Sequence, residues 1–444
     1  MTTSKAADDP LARAWLDAPP DPPTQAALAA RDLELRRVDP DDRAAYAAWL
    51  QAASRGFLDD ERTEAQIDAA RERAGHRRVS GVYDVTGAMP EVPVGTIGSW
   101  ITPLTVPGDR TVPSCAISAV TVAPTHRRRG IARAMLEGEL REAAGRGVPV
   151  ASLTVSESTI YGRFGFAPAA ASASWRLDTK RATWTGPTPD GRVDFIPRSD
   201  ARELAEAVHE RVRLRTAGEV RVPAALWDTL AGTRPDAKDP GRVRAIRYQD
   251  AAGDVQGVAM YTVRENADDY AASSAAVRYL VAATDDAYAA LWRYVVELDL
   301  IGEVTATELA VDEPLLWMIS DQRAATVTVS DHHYVRVLDV PRALEARAYG
   351  AAGTVALAVD DPLGIAGGDY VLEADPGGRG SVRRGAAPEG AVTLALGISE
   401  LAAIHLGGVS VAVLAAAGRL RCSDVTAASR VFGWHREPRL SFWY

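Results

Sequence analysis

The sequence predicts a mixed α/β protein of the α+β kind, built from several domains. Three observations support this prediction. A strand, a helix and a second strand follow one another between residues 116 and 155, and a similar alternation returns between residues 179 and 330. After residue 331, short strands alternate with turns rich in glycine and aspartate. A chain of 444 residues is too long for one compact core and suggests two to four domains.

The N-terminal part of the chain divides into a tail and a first domain. Residues 1–32 are rich in alanine, proline and aspartate, and we predict a flexible tail with Trp15 as a docking point. The first domain is predicted for residues 33–178. It begins with a strand at Leu33 and a helix near 41–54, and two further strands precede residue 116.

The β-α-β unit at residues 116–155 is the most informative segment. Ala116–Val122 is a β-branched run typical of a strand, apolar residues recur at helical spacing from Ile131 to Ala143, and Val150–Val155 forms the second strand. A pantetheine arm fits between two such strands if they splay apart.

An anion-binding pattern lies where the helix of this unit begins. Arg127–Ala132 occupies that position, where unpaired backbone N–H groups and the positive end of the helix dipole favour an anion. Gly130 and Ala132 leave space for a pyrophosphate, and the arginines add charge and fork-shaped donors. The alternative is an ordinary β-α-β unit whose arginines lie in solvent.

These residues carry a family resemblance. Arg127-x-x-Gly130-x-Ala132 after a Val-x-Val strand resembles the acyl-CoA signature of the GCN5-related N-acetyltransferases (GNAT). The segments PTHRRRG and IYGRFGF, at 124–130 and 160–166, are similar to the Eis (enhanced intracellular survival) family of actinobacteria. The resemblance runs through most of the chain, more weakly after Phe166.

The resemblance implies three folded domains. They are tandem GNAT folds, the first at 33–178 and the second, at 179–330, degenerate and unable to bind CoA, followed by a sterol-carrier-like α+β domain at 331–444. The last domain has two interpretations, a scaffold or a lipid carrier, and we favour the scaffold.

Acetyl-CoA is the co-substrate that the resemblance implies. The end of the first strand would pair with pantetheine, the start of the helix would hold the pyrophosphate, and two residues after the second strand would border the arm. The residues assigned to acetyl-CoA are Val120, Thr121, Val122, Arg128, Arg129, Gly130, Ile131, Ala132, Arg133, Ser156 and Glu157.

Two groups are assigned to proton transfer. Acetyl transfer needs a neutral attacking amine and a proton for the departing thiolate. The resemblance implies that Tyr161 is the acid, and a phenol with a pKa of about 10 suits donation to a thiolate. The alternative is a half-buried tyrosine that packs under a loop.

The resemblance also implies that the free C-terminal carboxylate is the base, here that of Tyr444. The family ends in a phenylalanine preceded by an acidic residue, so Trp443 and Tyr444 depart from its pattern and change the pocket wall. The alternative is a tail that docks for packing alone or at a subunit interface.

Four residues are predicted to face the acceptor. By position, Asp59 and Asp321 resemble acidic residues of the family's pocket and would hold a polycationic amine by charge-assisted hydrogen bonds. Ser118 and Ala119 are expected to face the cleft, with an alanine where a bulky aromatic side chain would narrow it. The acceptors so implied are primary amines of aminoglycosides or similar small-molecule polyamines, reached by direct transfer. The alternatives are protein lysine, and a non-catalytic small-molecule or lipid binder with a vestigial CoA site.

Composition limits the partners of the chain. A net charge of −9 makes it a poor candidate for a nucleic-acid binder. Only two cysteines are present, which fits a reducing cytoplasm, and no membrane span or signal peptide is predicted. The histidines lack the spacing of a zinc site, so no metal is predicted. The resemblance also implies that the protein assembles as a homo-hexamer.

Overall fold

The protein is described by a computed structural model that covers residues 9–234, 237 and 240–444. It forms two compact units. Unit 1 contains the chain up to Ala169, residues 333–435 and Tyr444, and unit 2 contains residues 170–332 and 436–443. Most of the sterol-carrier-like part of the sequence therefore belongs to the same compact unit as the predicted acetyl-CoA segment.

The helices and strands follow in chain order, with separate numbering for the two types. Residues up to 178 form α1 (Pro10–Leu16), α2 (Pro22–Ala29), β1 (Leu33–Arg37), α3 (Arg43–Gly56), α4 (Glu64–Arg71), β2 (Arg78–Asp84), β3 (Gly95–Val106), β4 (Arg110–Val122), α5 (Ile131–Gly145), β5 (Val150–Thr154), α6 (Ser158–Tyr161) and β6 (Ala167–Asp178). The next stretch forms β7 (Arg192–Phe195), α7 (Arg198–Arg213), α8 (Ala224–Ala231), β8 (Val243–Gln249), β9 (Val255–Arg264), β10 (Ser273–Ala282), α9 (Asp285–Val296), β11 (Ile301–Leu309) and β12 (Ala325–Val337). The last stretch forms α10 (Val340–Ala346), β13 (Gly353–Asp360), β14 (Gly368–Ala374), β15 (Gly380–Arg384), β16 (Val392–Gly397), α11 (Ile398–Ile404), α12 (Val411–Ala416), β17 (Leu420–Cys422) and α13 (Val425–Phe432).

The first sheet of unit 1 has the strand order β1-β2-β3-β4-β5-β12. Its neighbours are antiparallel apart from β4 and β5, which are parallel and joined by α5. The β4–β5 pairing stops at Ala116 on β4 and Ser152 on β5, while β4 continues to Val122. The two strands therefore separate at their ends. This separation leaves the gap that a pantetheine arm would need.

The second sheet of unit 1 has the order β15-β14-β13-β16-β17 and carries the helices α10 to α13 along the chain. A loop after β13 joins this sheet to the first one. There Asp361 forms an ion pair with Arg336 of β12, and both side chains are fully buried. Leu363 and Ile365 of the same loop pack against the apolar core beneath α5. The two sheets of unit 1 thus share a core.

Unit 2 repeats the plan of the first sheet. Its strands run in the order β6-β11-β10-β9-β8-β7, all antiparallel except the parallel pair β10 and β11, which α9 connects. A single core of aromatic and aliphatic side chains, with Trp292 and Tyr261 among them, lies between α9 and this sheet. This arrangement confirms a second GNAT-like fold.

The predicted flexible tail is wrong for residues 10–29, which form α1 and α2. Each helix begins with proline after an aspartate that caps it, since Asp9 accepts a hydrogen bond from Leu11 N and Asp21 accepts one from Thr24 N. Trp15 of α1 is fully buried, and its indole N–H donates to Ser99 Oγ at 3.1 Å. Burial of this side chain orders the segment despite its many alanines and prolines. Residues 1–8 of the predicted tail lie outside the described residues.

Two observations bear on the remaining sequence predictions. The predicted limit between residues 330 and 331 falls inside β12, whose last five residues pair with β5 in unit 1. Of the helices that the structure describes, none has both the length and the apolar character needed to cross a lipid bilayer.

Candidate active site

A cleft of about 1030 Å³ lies at the end of β4 and the start of α5. All of its walls belong to unit 1, and they come from α2, the end of α3, the end of β4, the turn before α5, α5 itself, and the segment that runs from the end of β5 through α6. The cleft brings together Tyr161 and ten of the eleven residues assigned to acetyl-CoA, namely Val120, Thr121, Val122, Arg128, Gly130, Ile131, Ala132, Arg133, Ser156 and Glu157.

The start of α5 is open to an anion. Gly130 is the residue that precedes the helix, and its φ of 75° is a left-handed conformation that glycine adopts without strain. Within the described chain, no side chain caps this helix start, so its first N–H groups face the cleft without a side-chain acceptor. Such groups, together with the helix dipole, attract phosphate.

Arginines dominate the charge of the cleft. Six arginines line the cleft, compared with only two glutamates, Glu137 and Glu157. The whole chain, by contrast, carries a net charge of −9. One of the six, Arg141, is neutralised by Asp21 at 2.8 Å. The local excess of positive charge suits an anionic cofactor such as CoA. The six are Arg31, Arg127, Arg128, Arg133, Arg141 and Arg163.

Arg129 is the one predicted acetyl-CoA residue outside the cleft lining. Its guanidinium lies 3.4 Å from Asp84 and donates to the main-chain oxygen of Arg31 at 3.2 Å. Arg31 itself lines the cleft, although sequence reasoning placed it in the tail. Arg129 therefore holds a cationic residue of the cleft in place, and its own contact with acetyl-CoA stays a prediction.

The corresponding helix of unit 2, α9, has a different start. Thr284 caps it by accepting a hydrogen bond from Ala287 N, and Asp285 and Asp286 occupy its first turn. The cap occupies one of the amides that a phosphate would need, and the two carboxylates would repel it. These features disfavour a phosphate at the start of α9, and the inability of the second GNAT-like fold to bind CoA stays a prediction.

Tyr161 ends α6 and is buried at the cleft wall. Its ring packs edge-to-face on Phe166, with the ring centroids 6.1 Å apart. Burial, and then the negative charge of Glu157, raise the pKa of the Tyr161 phenol above its usual value. The phenol therefore keeps its proton throughout the neutral range and is able to donate it.

Tyr444 lies at the end of β5. The Thr154 hydroxyl donates to the main-chain oxygen of Tyr444 at 2.5 Å. The Tyr444 phenol donates to Ser152 Oγ at 2.9 Å and contacts His333 Nε2 at 3.0 Å, and burial raises the pKa of this phenol. Its ring also packs edge-to-face on Trp100. Tyr444 is not among the described residues that line the cleft, and its role as a base stays a prediction.

The four predicted acceptor-facing residues lie elsewhere. Asp59 pairs with Arg62 at 2.6 Å on the surface, and Asp321, in unit 2, pairs with Arg181 at 2.6 Å. Ser118 and Ala119 lie on β4 before the part that lines the cleft, where β4 bulges because Ala119 has a φ of 54°. Ala119 packs against a cluster that contains Trp49. The acceptor contacts of all four stay predictions.

Two residues that line the cleft, Phe57 and Leu58, were not predicted from the sequence. Both are exposed, Leu58 by 86%, and Leu58 has a left-handed φ of 63°, which is strained for a branched side chain. Gly56, just before them, packs on Thr121 so closely that a β-carbon there would lie 2.4 Å from the threonine. Phe57 and Leu58 together form an apolar lip over the end of β4. The nearest sequence signal was their position at the end of a predicted helix.

Metal ligands are not assembled in the part of the chain that the structure describes. In residues 9–234, 237 and 240–444, no group of three or more histidine, cysteine, aspartate or glutamate side chains is placed to hold a metal ion.

Substitution of Gly130 by alanine is expected to weaken acetyl-CoA binding about tenfold and to destabilise the fold by about 1 kcal/mol. The left-handed φ disfavours alanine, and the new β-carbon would lie 2.8 Å from the Arg31 guanidinium. Isothermal titration with acetyl-CoA and urea unfolding measure the two effects. Gly145→Ala, at the other end of α5 with open space around it, is the matched control. An unchanged Kd for Gly130→Ala would contradict the assigned phosphate site.

Comparisons with known proteins agree with this geometry. A family model described as an acetyltransferase (GNAT) domain matches residues 35–169, and a second model with that description matches residues 218–337. A sterol carrier protein domain model matches residues 340–441.

Similar proteins span most of the chain. An uncharacterized N-acetyltransferase of Streptomyces avermitilis is 37% identical over 401 residues, which is 88% of this chain and 94% of that protein. The N-acetyltransferase Eis of Mycobacterium tuberculosis is 36% identical over 334 residues, 72% of this chain and 77% of Eis. The crystal structure of Eis1 from Mycobacterium abscessus superposes with a TM-score of 0.78 at 27% identity, covering 93% of this chain and 100% of Eis1.

Proposed function

Because this chain belongs to the Eis family of GCN5-related N-acetyltransferases, we propose that it transfers the acetyl group of acetyl-CoA directly to a primary amine of an aminoglycoside or similar polycationic amine. One observation carries the proposal. The uncapped start of α5 and the protonated phenol of Tyr161 belong to a single cleft.

The residues of the cleft fit acetyl-CoA. The amides at the start of α5 and the arginines around them would hold its phosphates, and the end of β4 offers the arm the backbone edge that no longer pairs with β5. Ser156 and Glu157 would border that arm. When bound, acetyl-CoA supplies an activated thioester.

Tyr161 is proposed as the general acid. Its raised pKa keeps the phenol protonated at neutral pH, so a proton is present when the thiolate departs. Glu157, which contributes to that raised pKa, lines the same cleft.

The carboxylate of Tyr444 is proposed as the base that accepts the amine proton. The hydrogen bond from Thr154 holds the Tyr444 main chain at the end of β5, two residues before Ser156 of the cleft. A hydroxyl that donates to a carboxylate stabilises its charged form. The contacts of the Tyr444 phenol with Ser152 and His333 support the proposal because they hold the side chain, while Thr154 holds the main chain.

The acceptor class rests on the family resemblance and on charge. The net charge of −9 attracts a polycation to the molecule, while the exposed lip of Phe57 and Leu58 offers apolar contact beside the cleft. Protein lysine is the second candidate acceptor. A cytoplasmic homo-hexamer is the proposed working form.

The test combines binding with turnover. Acetyl-CoA at about 100 times its Kd is expected to stabilise the protein by about 2.7 kcal/mol, visible as a rise in Tm. Thiol release is then followed with aminoglycosides, polyamines and lysine peptides, and with a variant that carries one residue after Tyr444. Turnover with the polycationic amines alone supports the proposal. Turnover with lysine peptides alone would show that protein lysine, and not a polycationic small molecule, is the acceptor. Full activity of the extended variant would remove Tyr444 from the mechanism.

No rise in Tm at saturating acetyl-CoA would instead indicate a vestigial CoA site, and with it the non-catalytic alternative of a small-molecule or lipid binder.

A further inference from the structure

The turn that follows Tyr161 is supported from below by a buried arginine. Gly165 closes this turn with a left-handed φ of 83°, and its N–H donates to the main-chain oxygen of Gly162 at 3.0 Å. A β-carbon added at Gly165 would lie 2.6 Å from Nε and 2.9 Å from Cδ of Arg336. The Arg336 side chain therefore fills the space directly beneath the turn.

Arg336 is held rigidly by the sterol-carrier-like domain. Its guanidinium donates two hydrogen bonds to the Asp361 carboxylate, at 2.7 and 2.8 Å, and a third to the main-chain oxygen of Val337. Asp361 also accepts hydrogen bonds from the N–H groups of Leu363, Ile365 and Ala366. Both oxygens of Asp361 accept from the same nitrogen, Nη2, and both side chains are fully buried, so the pair has little freedom to move.

The start of α11 contacts the same turn. The β-carbon added at Gly165 would lie 2.8 Å from Cγ2 of Ile398, and the Ser399 hydroxyl is 3.5 Å from the main-chain oxygen of Gly162. Leu363 and Ile365 pack against the core that contains Tyr161, Phe164 and Phe166. The domain thus reaches the Tyr161 turn through a loop, a helix start and an ion pair.

From these contacts we infer that Arg336, fixed by Asp361, is a positioning residue for Tyr161, so that the sterol-carrier-like domain sets the geometry of acetyl transfer. The inference rests on the proposed role of Tyr161 as the acid. A rigid support matters because displacement of a catalytic group by about 1 Å is enough to lower a rate greatly.

The test compares two buried arginines of unit 1. Arg336→Lys keeps the charge but removes the planar guanidinium, which reaches Val337 and Asp361 through different nitrogens and fills the space under Gly165. It is expected to lower kcat about tenfold while the KM for acetyl-CoA changes less than about twofold. Arg347→Lys is the matched control. Arg347 is also fully buried, and it donates to main-chain oxygens of Ile404, His405 and Phe432. Its variant is expected to lose stability but to keep kcat per folded molecule.

The folded fraction of each variant is measured by near-UV circular dichroism, and Asp361→Asn provides a second disruption of the support. Equal kcat per folded molecule in the variants of Arg336, Asp361 and Arg347 would overturn the inference.

A double variant separates this inference from the proposed function. Since Arg336 acts through the phenol, Arg336→Lys is expected to have no further effect on kcat once Tyr161 is phenylalanine. A further tenfold loss in that background would place the effect of Arg336 elsewhere and overturn the inference alone. If Tyr161→Phe by itself keeps the wild-type kcat, the acid assignment fails, and the positioning role fails with it.

Discussion

Replacement of Tyr161 by phenylalanine is expected to lower kcat by about 10²–10⁴-fold, the usual contribution of a general acid or base. The ring and its packing on Phe166 are retained, so the change removes only the proton donor at the cleft wall. The KM for acetyl-CoA should stay close to that of the wild type, because the phosphate site at the start of α5 is untouched. Steady-state thiol release at saturating amine measures both constants.

The pH profile gives a second readout of the same residue. Burial and the charge of Glu157 raise the pKa of Tyr161, so the protonated form persists above the ordinary tyrosine value of about 10. The wild-type kcat is therefore expected to show no loss from Tyr161 ionisation between pH 7 and 9. Glu157→Gln removes a negative charge that disfavours the phenolate, so the alkaline loss of kcat should move to lower pH.

Tyr370→Phe is the control for this experiment. It also removes a buried hydroxyl, one that donates to the main-chain oxygen of Ala366 in the sterol-carrier-like domain. Its kcat should equal that of the wild type. An equal loss of activity in the Tyr161 and Tyr370 variants would show that the Tyr161 effect is general destabilisation.

Replacement of Trp15 by alanine is expected to destabilise unit 1 by about 3–5 kcal/mol. The indole is fully buried, and the Arg78 guanidinium lies 4.8 Å from its ring centroid. Its N–H donates to Ser99, which in turn donates to the buried Glu139 at 2.9 Å. The substitution would leave both a cavity and an unmatched acceptor. Urea unfolding followed by circular dichroism measures the loss.

Trp317→Ala is the matched control, because Trp317 is 78% exposed. The same chemical change at the surface is expected to alter stability by less than about 0.5 kcal/mol. If Trp15→Ala costs no more than this control, the N-terminal helices do not belong to the cooperative fold of unit 1.

The acetyl-CoA segment was predictable because its signals are local. The helix predicted from the apolar spacing between Ile131 and Ala143 is observed as α5, and the predicted strands are observed as β4 and β5. Strand, turn, helix and strand each depend on residues close in sequence, and the motif predicts which end of the helix would bind the phosphates. Local signals of the same kind predicted the alternation of strands and helices in unit 2.

The missed features depend on tertiary contacts. An Asp-Pro pair marks the start of both α1 and α2, which is a local helix signal, but burial of Trp15 in α1 and Leu28 in α2 explains why such short helices persist. Arg31, Phe57 and Leu58 reach the cleft from segments more than 60 residues before α5. No sequence pattern pairs Arg336 with Asp361, since the pair forms only where two sheets meet.

The pairing of β5 with β12 has a consequence for biosynthesis. Val150–Thr154 is bonded to residues 333–337, so its partner leaves the ribosome about 180 residues later. At about 5–20 residues per second, this corresponds to roughly 10–40 s of elongation during which β5 has an open edge. Unpaired strand edges recruit other chains, so the nascent protein is vulnerable to aggregation over that interval. A fragment that ends at residue 178 would keep this vulnerability permanently, and recombinant production therefore favours the whole chain over such a fragment.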